Sequence, residues 1–513
     1  MLAKVLSYGL NGIEGYPVLV EADVYNGLPS YEICGLPDAS VKESKERVRS
    51  AIKNSGYEYP AKKITINLAP ADQRKEGPIY DLAIAIGLLV ASEQINGELL
   101  KYMTIFGELS LNGDVRPVAG LLPMVIDARK RGFNFMVVPH DNMREIQNIE
   151  DIKILPVKHL KELASILNKE EQPDIVYPTP WEYKGIPADA AVDLADIRGQ
   201  EKAKRAMEIA AAGGHNILLI GSPGSGKSML AKALPGILPD FTFEEALEVT
   251  QIHSAAGETK QGGDLAGIRP FRCPHHTASS AAIIGGGQKC VPGEISLAHR
   301  GVLYFDELPE FDRNVLEALR QPLEDGTVSV SRANNKVSYP ADFMFVASMN
   351  PCPCGNFGSD TECRCSQPQI NRYLSKISGP LLDRMDIHVE MGRIHYNELH
   401  STEQQETSAQ VRSRINSARN IQLERYKSIG KYCNAQLNSA QLKEFCPIHP
   451  AAEQLLKSAY EKMKMSARSY TRVLLTARTI ADLDSSREVL APHIAEAIQY
   501  RSLDRKYWSN SYD

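Results

Sequence analysis

The 513-residue chain is 43% hydrophobic and 24% charged with a net charge of −5, which sets aside collagen-like, disordered and uniformly basic proteins and leaves nucleic-acid contact to local patches. Its length suits about three or four domains. The opening MLAKVLSYGLNGIEGYP lacks a signal-peptide core and the longest apolar run, residues 82–91, is too short for a bilayer, so a cytoplasmic protein without membrane contact is expected, its nine cysteines pointing to metal or redox chemistry rather than disulfides.

Val18, Val20, Ala22 and Val24 alternate with Leu19, Glu21, Asp23 and Tyr25, the period of a half-buried strand, and Asn26-Gly27 marks a tight turn after it. Ser40 and Glu43 stand in capping-box spacing beside apolar Val41, Val48, Ala51 and Ile52, with Gly56 as a stop signal. A helix with a charged outer face is predicted there. KKITINLAP and MVVP read as strands, and YDLAIAIGLLVASEQI as a buried helix. Between 168 and 188 the periodicity gives way to Pro173, Pro178, Pro180 and Pro187, which predicts a linker. From there NILLIG, GVLYFDEL and FMFVASMN alternate with helical stretches, as in a parallel α/β sheet. Beyond about Gly392 the strands stop. Residues 398–507 read as mostly helical, with Val411, Ile415 and Ala418 on one face and Arg412, Arg414 and Arg419 elsewhere.

NILLIGSPGSGKSML is a strand, a glycine-rich turn and a helix start. Gly221, Ser222, Pro223, Gly224, Ser225, Gly226, Lys227, Ser228 and Met229 form the candidate phosphate-binding run. Its glycines let backbone N–H groups approach phosphate without a Cβ in the way; Lys227 supplies charge to the β/γ oxygens and Ser228 a hydroxyl to Mg²⁺. Asp306 and Glu307 end an apolar strand, where one carboxylate can hold hydrated Mg²⁺ and its neighbour can orient the attacking water. Asn350 ends a third strand, placing an amide near the γ-phosphate or that water, and Arg384, Arg468 and Arg472 follow.

GSPGSGKS, GVLYFDEL, ASMNPCPCG, SGPLLDRMDIH and SARSYTRVLLTARTIADL, taken in this order over nearly the whole chain, resemble the magnesium-chelatase-like AAA+ ATPases, most closely the bacterial YifB/ComM family. The resemblance implies Lys227 and Ser228 as Walker A, Asp306 and Glu307 as Walker B, and Asn350 as sensor 1. It also implies Arg384 as a finger reaching a neighbouring subunit's ATP and Arg468 as sensor 2, with Arg472 the alternative for that role. A finger acting in trans requires a homo-oligomeric ring, expected to be a hexamer, using ATP and Mg²⁺.

PADQRKEGPIYDLAIAIGLL and FGELSLNGDVRPVAGLLPMVIDARKRGFNFMVVP resemble the Lon-type proteolytic domain, a fold shared with ribosomal protein S5 domain 2. Peptidases of that type need a serine nucleophile and a lysine base; here Pro78, Ile79, Tyr80 and Asp81 surround the expected serine and the expected lysine falls near Leu122. A non-proteolytic relative is therefore expected. The full expectation is a multidomain α/β protein: a Lon-protease-like α+β domain at 1–167, a linker at 168–188, an AAA+ P-loop core at 189–392 and a helical lid at 393–513.

The stretch GIRPFRCPHHTASSAAIIGGGQKCVPGEISLAHRG lies where the resembling family carries inserts that project into the ring channel. Arg269, Arg272, His275, His276 and Lys289 are candidates to contact DNA phosphates. Cys273, His275, His276 and Cys290 are spaced too irregularly for a metal site, and packed roles are expected for them. Cys352-x-Cys354 and Cys363-x-Cys365, separated by eight residues, can instead offer four thiolates to Zn²⁺, with Gly355 and Gly358 helping the loop turn. Family resemblance implies a motor on DNA, such as a branch-migration helicase acting on recombination intermediates during DNA uptake. The alternatives are a chelatase-type motor and a protein-remodelling ATPase without nucleic acid.

Overall fold

The computed structural model describes every residue except 184, 186–191, 259–262, 288–289, 333–334, 359–360, 395–404 and 509–513. Two compact units divide the chain, Met1–Tyr183 with Phe243–Gly267, and Lys184–Thr242 with Ile268–Asp513. This differs from the expected contiguous blocks in two ways: residues 168–183 join the first unit, and 25 residues from within the ATPase stretch do so as well. The helical C-terminal segment belongs to the second unit rather than forming a third.

The first unit is built on a seven-stranded mixed sheet of order β3-β4-β2-β1-β5-β8-β9. Its strands are β1 Leu2–Asn11, β2 Glu14–Tyr25, β3 Ser30–Cys34, β4 Lys63–Ala69, β5 Thr104–Ile105, β8 Phe135–Pro139 and β9 Lys153–Val157. The short pair β6 Glu108–Leu109 and β7 Val115–Arg116 stands apart from it. Val18, Val20, Ala22 and Val24 are buried on one face of β2, as period-two alternation requires. The hairpin partner of β2 is β1, closed at Asn11-Gly12 with Gly12 at φ 66°; Asn26-Gly27 leads instead into β3, which pairs with β4.

The helix Ala39–Asn54 buries Val41, Val48, Ala51 and Ile52. Its N-cap is Asp38, whose carboxylate accepts from the Val41 N–H at 2.7 Å, not Ser40; the extended backbone of Asp38 lets the side chain reach back to an orphan donor. The helix Asp81–Ala91 is buried at every position. Helix Phe243–Ala256 completes this unit: Ser254 donates to the buried Glu145 carboxylate, and Leu265, Phe243 and Leu247 join the same hydrophobic core.

The second unit holds a five-stranded sheet of order β11-β14-β17-β10-β18, with every neighbouring pair parallel. These strands are β10 Ile217–Gly221, β11 Phe271–Arg272, β14 Val302–Phe305, β17 Met344–Met349 and β18 Ile387–Met391. β10, β14 and β17 are buried throughout, as strands covered on both faces must be. Two small hairpins accompany the sheet, β12 Gly285–Gly286 with β13 Val291–Pro292 and β15 Thr327–Arg332 with β16 Asn335–Pro340. After β18 the described elements are helical, including Ser408–Tyr426, Pro450–Met463 and Ala467–Leu483. Val411, Ile415 and Ala418 are buried together with Arg419. Arg419 follows Ile415 by four positions and so shares its face; its guanidinium donates to the carbonyls of Ala211 and Tyr432, each at 3.1 Å. Among the described residues no helix is long and apolar enough to cross a membrane.

Candidate active site

Parallel pairing fixes where the polar residues meet, because all carboxyl ends lie on one edge of the sheet. Ile220 of β10 pairs with Met349 of β17, so Gly221 begins its turn beside Asn350. Phe305 of β14 pairs with Ala347, so Asp306 emerges beside Ser348. Gly221 lies close to β18, since a Cβ there would meet the Met391 carbonyl oxygen at 2.6 Å. Gly224 and Gly226 are opposite in kind: at φ 78° and 90° they face open space, with nothing within 4 Å of a Cβ. The helix Lys227–Ala233 starts directly after them.

Lys227 is 9% exposed. Its Nζ donates to the carbonyls of Gly221 at 2.7 Å and Ser222 at 3.0 Å and to Asn350 Oδ1 at 3.2 Å. Burial lowers its pKa, against the pull of the Asp306 and Glu307 carboxylates. Ser228 Oγ donates to Asp306 Oδ2 at 2.8 Å, and Ser348 donates to the other carboxylate oxygen. Burial would lift the Asp306 carboxyl, but the hydroxyls of Ser348 and Ser228 that donate to it outweigh this and hold the pKa below the ordinary aspartate value. Glu307 is exposed with φ 54°, a left-handed backbone uncommon for a side chain of this kind, and its N–H donates to Asp306 Oδ1 at 3.1 Å.

Lys227, Ser228, Asp306 and Asn350 are thus brought together as expected. Ser348 is an addition; it sits two residues before Asn350 in chain order and so on the same side of the strand. Gln200 is another, its Nε2 donating to the carbonyls of Ser225 at 3.3 Å and Gly392 at 2.7 Å. Beside the turn lies a cavity of about 860 Å³ lined by Ser222, Pro223, Gly224, Lys202, Phe357 and Tyr507 among others.

The arginines have other partners. Arg384 is 7% exposed, donating to the Pro380 carbonyl at 2.7 Å and to Glu324. Arg468 is exposed at the start of helix Ala467–Leu483, 3.9 Å from Asp383. Arg472 pairs with the buried Asp386 at 3.0 Å; burial alone would raise that carboxyl, but Arg472 and His215 hold it at about 2.

The candidate DNA contacts are corrected in part. Arg269 is 9% exposed, its guanidinium donating to the carbonyls of Pro239, Arg300 and Asp240 at 2.7, 2.8 and 3.1 Å. It clamps the fold instead of facing a ligand. Arg272 is paired with Glu294 at 2.6 and 2.9 Å. His275 and His276 lie with tilted rings 4.1 Å apart between centroids, and Lys289 lies outside the described residues. Cys290 is buried and Cys273 exposed. The Sγ atoms of Cys352, Cys354, Cys363 and Cys365 all lie within 4.8 Å of one another.

A lysine with open glycines around it fits a polyphosphate, and paired hydroxyl and carboxylate oxygens fit a hard divalent cation. Mg²⁺, when bound there, would neutralise phosphate charge. A nucleoside triphosphate bound there would meet Lys227 and the turn's N–H groups at its β/γ oxygens and Asn350 at its γ end, with the outward Glu307 carboxylate available to orient a water. Such an edge belongs to the P-loop NTPases, here with the Asn350 strand lying between the P-loop strand and the Asp306 strand.

Comparison with known proteins agrees. Residues 193–399 match the magnesium chelatase subunit ChlI family model, 20–142 the model for subunit ChlI of Mg-chelatase, and 405–501 that for the ChlI C-terminal region. The chain is 43% identical over 509 residues to competence protein ComM of Haemophilus influenzae, covering 98% of each. It is 44% identical over 498 residues to the uncharacterized protein YifB of Escherichia coli K12, covering 96% of each. The magnesium-chelatase 67 kDa subunit of Chlorobaculum parvum is 31% identical over 167 residues, 31% of this chain and 23% of that one. The chain belongs to the YifB/ComM family of magnesium-chelatase-like AAA+ ATPases.

Proposed function

We propose that the protein is an ATP-hydrolysing ring motor, assembled as a homo-hexamer in the cytoplasm, that works on DNA as a branch-migration helicase of recombination intermediates during DNA uptake. The observation that carries the ATPase is the meeting of Lys227 Nζ with Asn350 and of Ser228 with Asp306 at one sheet edge. Full-length likeness to a competence protein supports the DNA role. In the ring, Arg384 leaves Glu324 and the Pro380 carbonyl to reach the neighbouring ATP, and Arg468 acts as sensor 2. The four cysteines hold a structural Zn²⁺. The first unit is a Lon-like relative without peptidase chemistry, a reading supported by buried Ile79, Tyr80 and Asp81 around the expected serine and buried Leu122 near the expected lysine.

ATPase assays with single-stranded, duplex and branched DNA at stated salt test this reading, since phosphate contacts weaken steeply with ionic strength. Branched DNA should stimulate turnover, and Lys227→Ala and Glu307→Gln should abolish it. In the assembled ring Arg384→Ala should lower the rate by about 10³–10⁵. Absence of DNA binding even at low salt would favour a protein-remodelling or chelatase-type motor, the reading to which the local likeness to a chelatase subunit points.

A further inference from the structure

The loop leaving β17 carries Cys352 only two residues beyond Asn350, and its four sulfurs cluster within 4.8 Å of one another. Cys352, Cys354 and Cys363 have Sγ separations of 3.4, 3.7 and 3.6 Å. A disulfide needs about 2.05 Å, whereas four sulfurs each about 2.3 Å from a tetrahedral ion stand about 3.8 Å apart. Gly355 and Gly358, at φ 81° and 75°, turn the chain back, and the Phe357 N–H donates to Cys352 Sγ at 3.3 Å, as N–H groups do to a ligating thiolate.

This loop also touches the nucleotide machinery at three places. Gly355 lies against the P-loop, so close that a Cβ there would stand 2.3 Å from Pro223 Cδ. Asn350, at the loop's root, accepts from Lys227. Phe357, which lines the cavity beside the P-loop, sets its ring 6.3 Å from that of Tyr507 on another wall of it.

We propose that one zinc ion held by Cys352, Cys354, Cys363 and Cys365 locks this loop against Pro223 and Asn350, so that metal occupancy sets the affinity of the P-loop for adenine nucleotide. The inference rests on the ATPase reading and adds a metal-dependent control to it. Binding converts thiols to thiolates and releases their protons to solvent. Without the ion, the tie between the Cys352/Cys354 pair and the Cys363/Cys365 pair is lost, and the Gly355 contact is no longer held by it.

The test uses the full chain. Metal analysis should find about one zinc per chain, and cobalt replacement should give the thiolate charge-transfer and tetrahedral d–d bands of a four-sulfur site. Removing zinc with a zinc-selective chelator in excess Mg²⁺ should weaken binding of fluorescent ADP about tenfold, reversed by added zinc. Gly355→Ala, which keeps all four cysteines, should retain zinc yet weaken ADP to a similar degree, separating the contact from any unfolding caused by cysteine loss. A chain without stoichiometric zinc and without cobalt bands overturns the proposal. So does unchanged ADP affinity in both the zinc-free protein and Gly355→Ala. Should zinc-loaded wild type bind no adenine nucleotide at all, the ATPase reading fails and the coupling with it, while the zinc stoichiometry still reports the metal site separately.

Discussion

Each unit buries a lysine, and the two serve different ends. In the first unit Lys75 is wholly buried, donating to the carbonyls of Pro70 and of Gln73. Asp81, 1% exposed, is gripped by Arg47 at 2.6 and 3.1 Å and receives the Leu109 N–H. Ile79, Tyr80 and Leu122 are buried in the core of the same unit. In the second unit Lys227 likewise donates to carbonyls of its own turn, but Gly224 and Gly226 leave the space beyond it open. A buried charge is thus a poor marker of chemistry by itself. What distinguishes Lys227 is unfilled volume in front of an ammonium that can exchange its carbonyl partners for phosphate.

The largest effect expected from this contrast is in the second unit: Lys227→Ala should reduce ATP turnover by about 10³-fold or more while leaving the melting curve nearly unmoved, checked by phosphate release and calorimetry. In the first unit the burden falls on stability. Arg47→Ala strands the Asp81 carboxylate and should cost about 3–5 kcal/mol in denaturant unfolding. A pH effect follows. Burial raises the Asp81 carboxyl to about 6, against the pull of Arg47. Its folded value therefore exceeds the unfolded one; the stability it contributes is complete below about pH 4 and is lost as pH rises through 6. Stability of wild type relative to Asp81→Asn should accordingly fall by about 3 kcal/mol between pH 4 and pH 7. The smallest effect belongs to Ile79→Ser, which should cost about 2 kcal/mol and create no peptidase activity on a fluorogenic peptide, because buried Leu122 offers no amine. Cleavage by that variant would break the contrast.

The ATPase edge was legible because its chemistry is written locally. A glycine-rich turn between strand and helix, and polar residues directly after apolar strands, need only parallel pairing to converge. Less legible were features decided by partners distant in sequence. Asn11-Gly12 and Asn26-Gly27 look alike, yet of these two only the first closes a hairpin, because β4 rather than β3 lies beside β2. Arg269 reads as a phosphate contact until Pro239, Asp240 and Arg300 supply the carbonyls it bonds. Ser40 has the spacing of a cap, but Asp38 has the backbone for it. Ser348 was hidden inside an apolar strand, and its role appears only once Asp306 emerges on the neighbouring one.

The return of residues 243–267 to the first unit has a consequence for how the protein is made. Phe243, Leu247 and Leu265 complete a core begun by β1 and β2, so a fragment ending at 183 leaves an apolar scar where they belong. On the ribosome that unit cannot close until residue 267 has left the exit tunnel, by which time the P-loop strand has also been synthesised. The two units are therefore committed to maturing together, and no single cut in the polypeptide separates them intact.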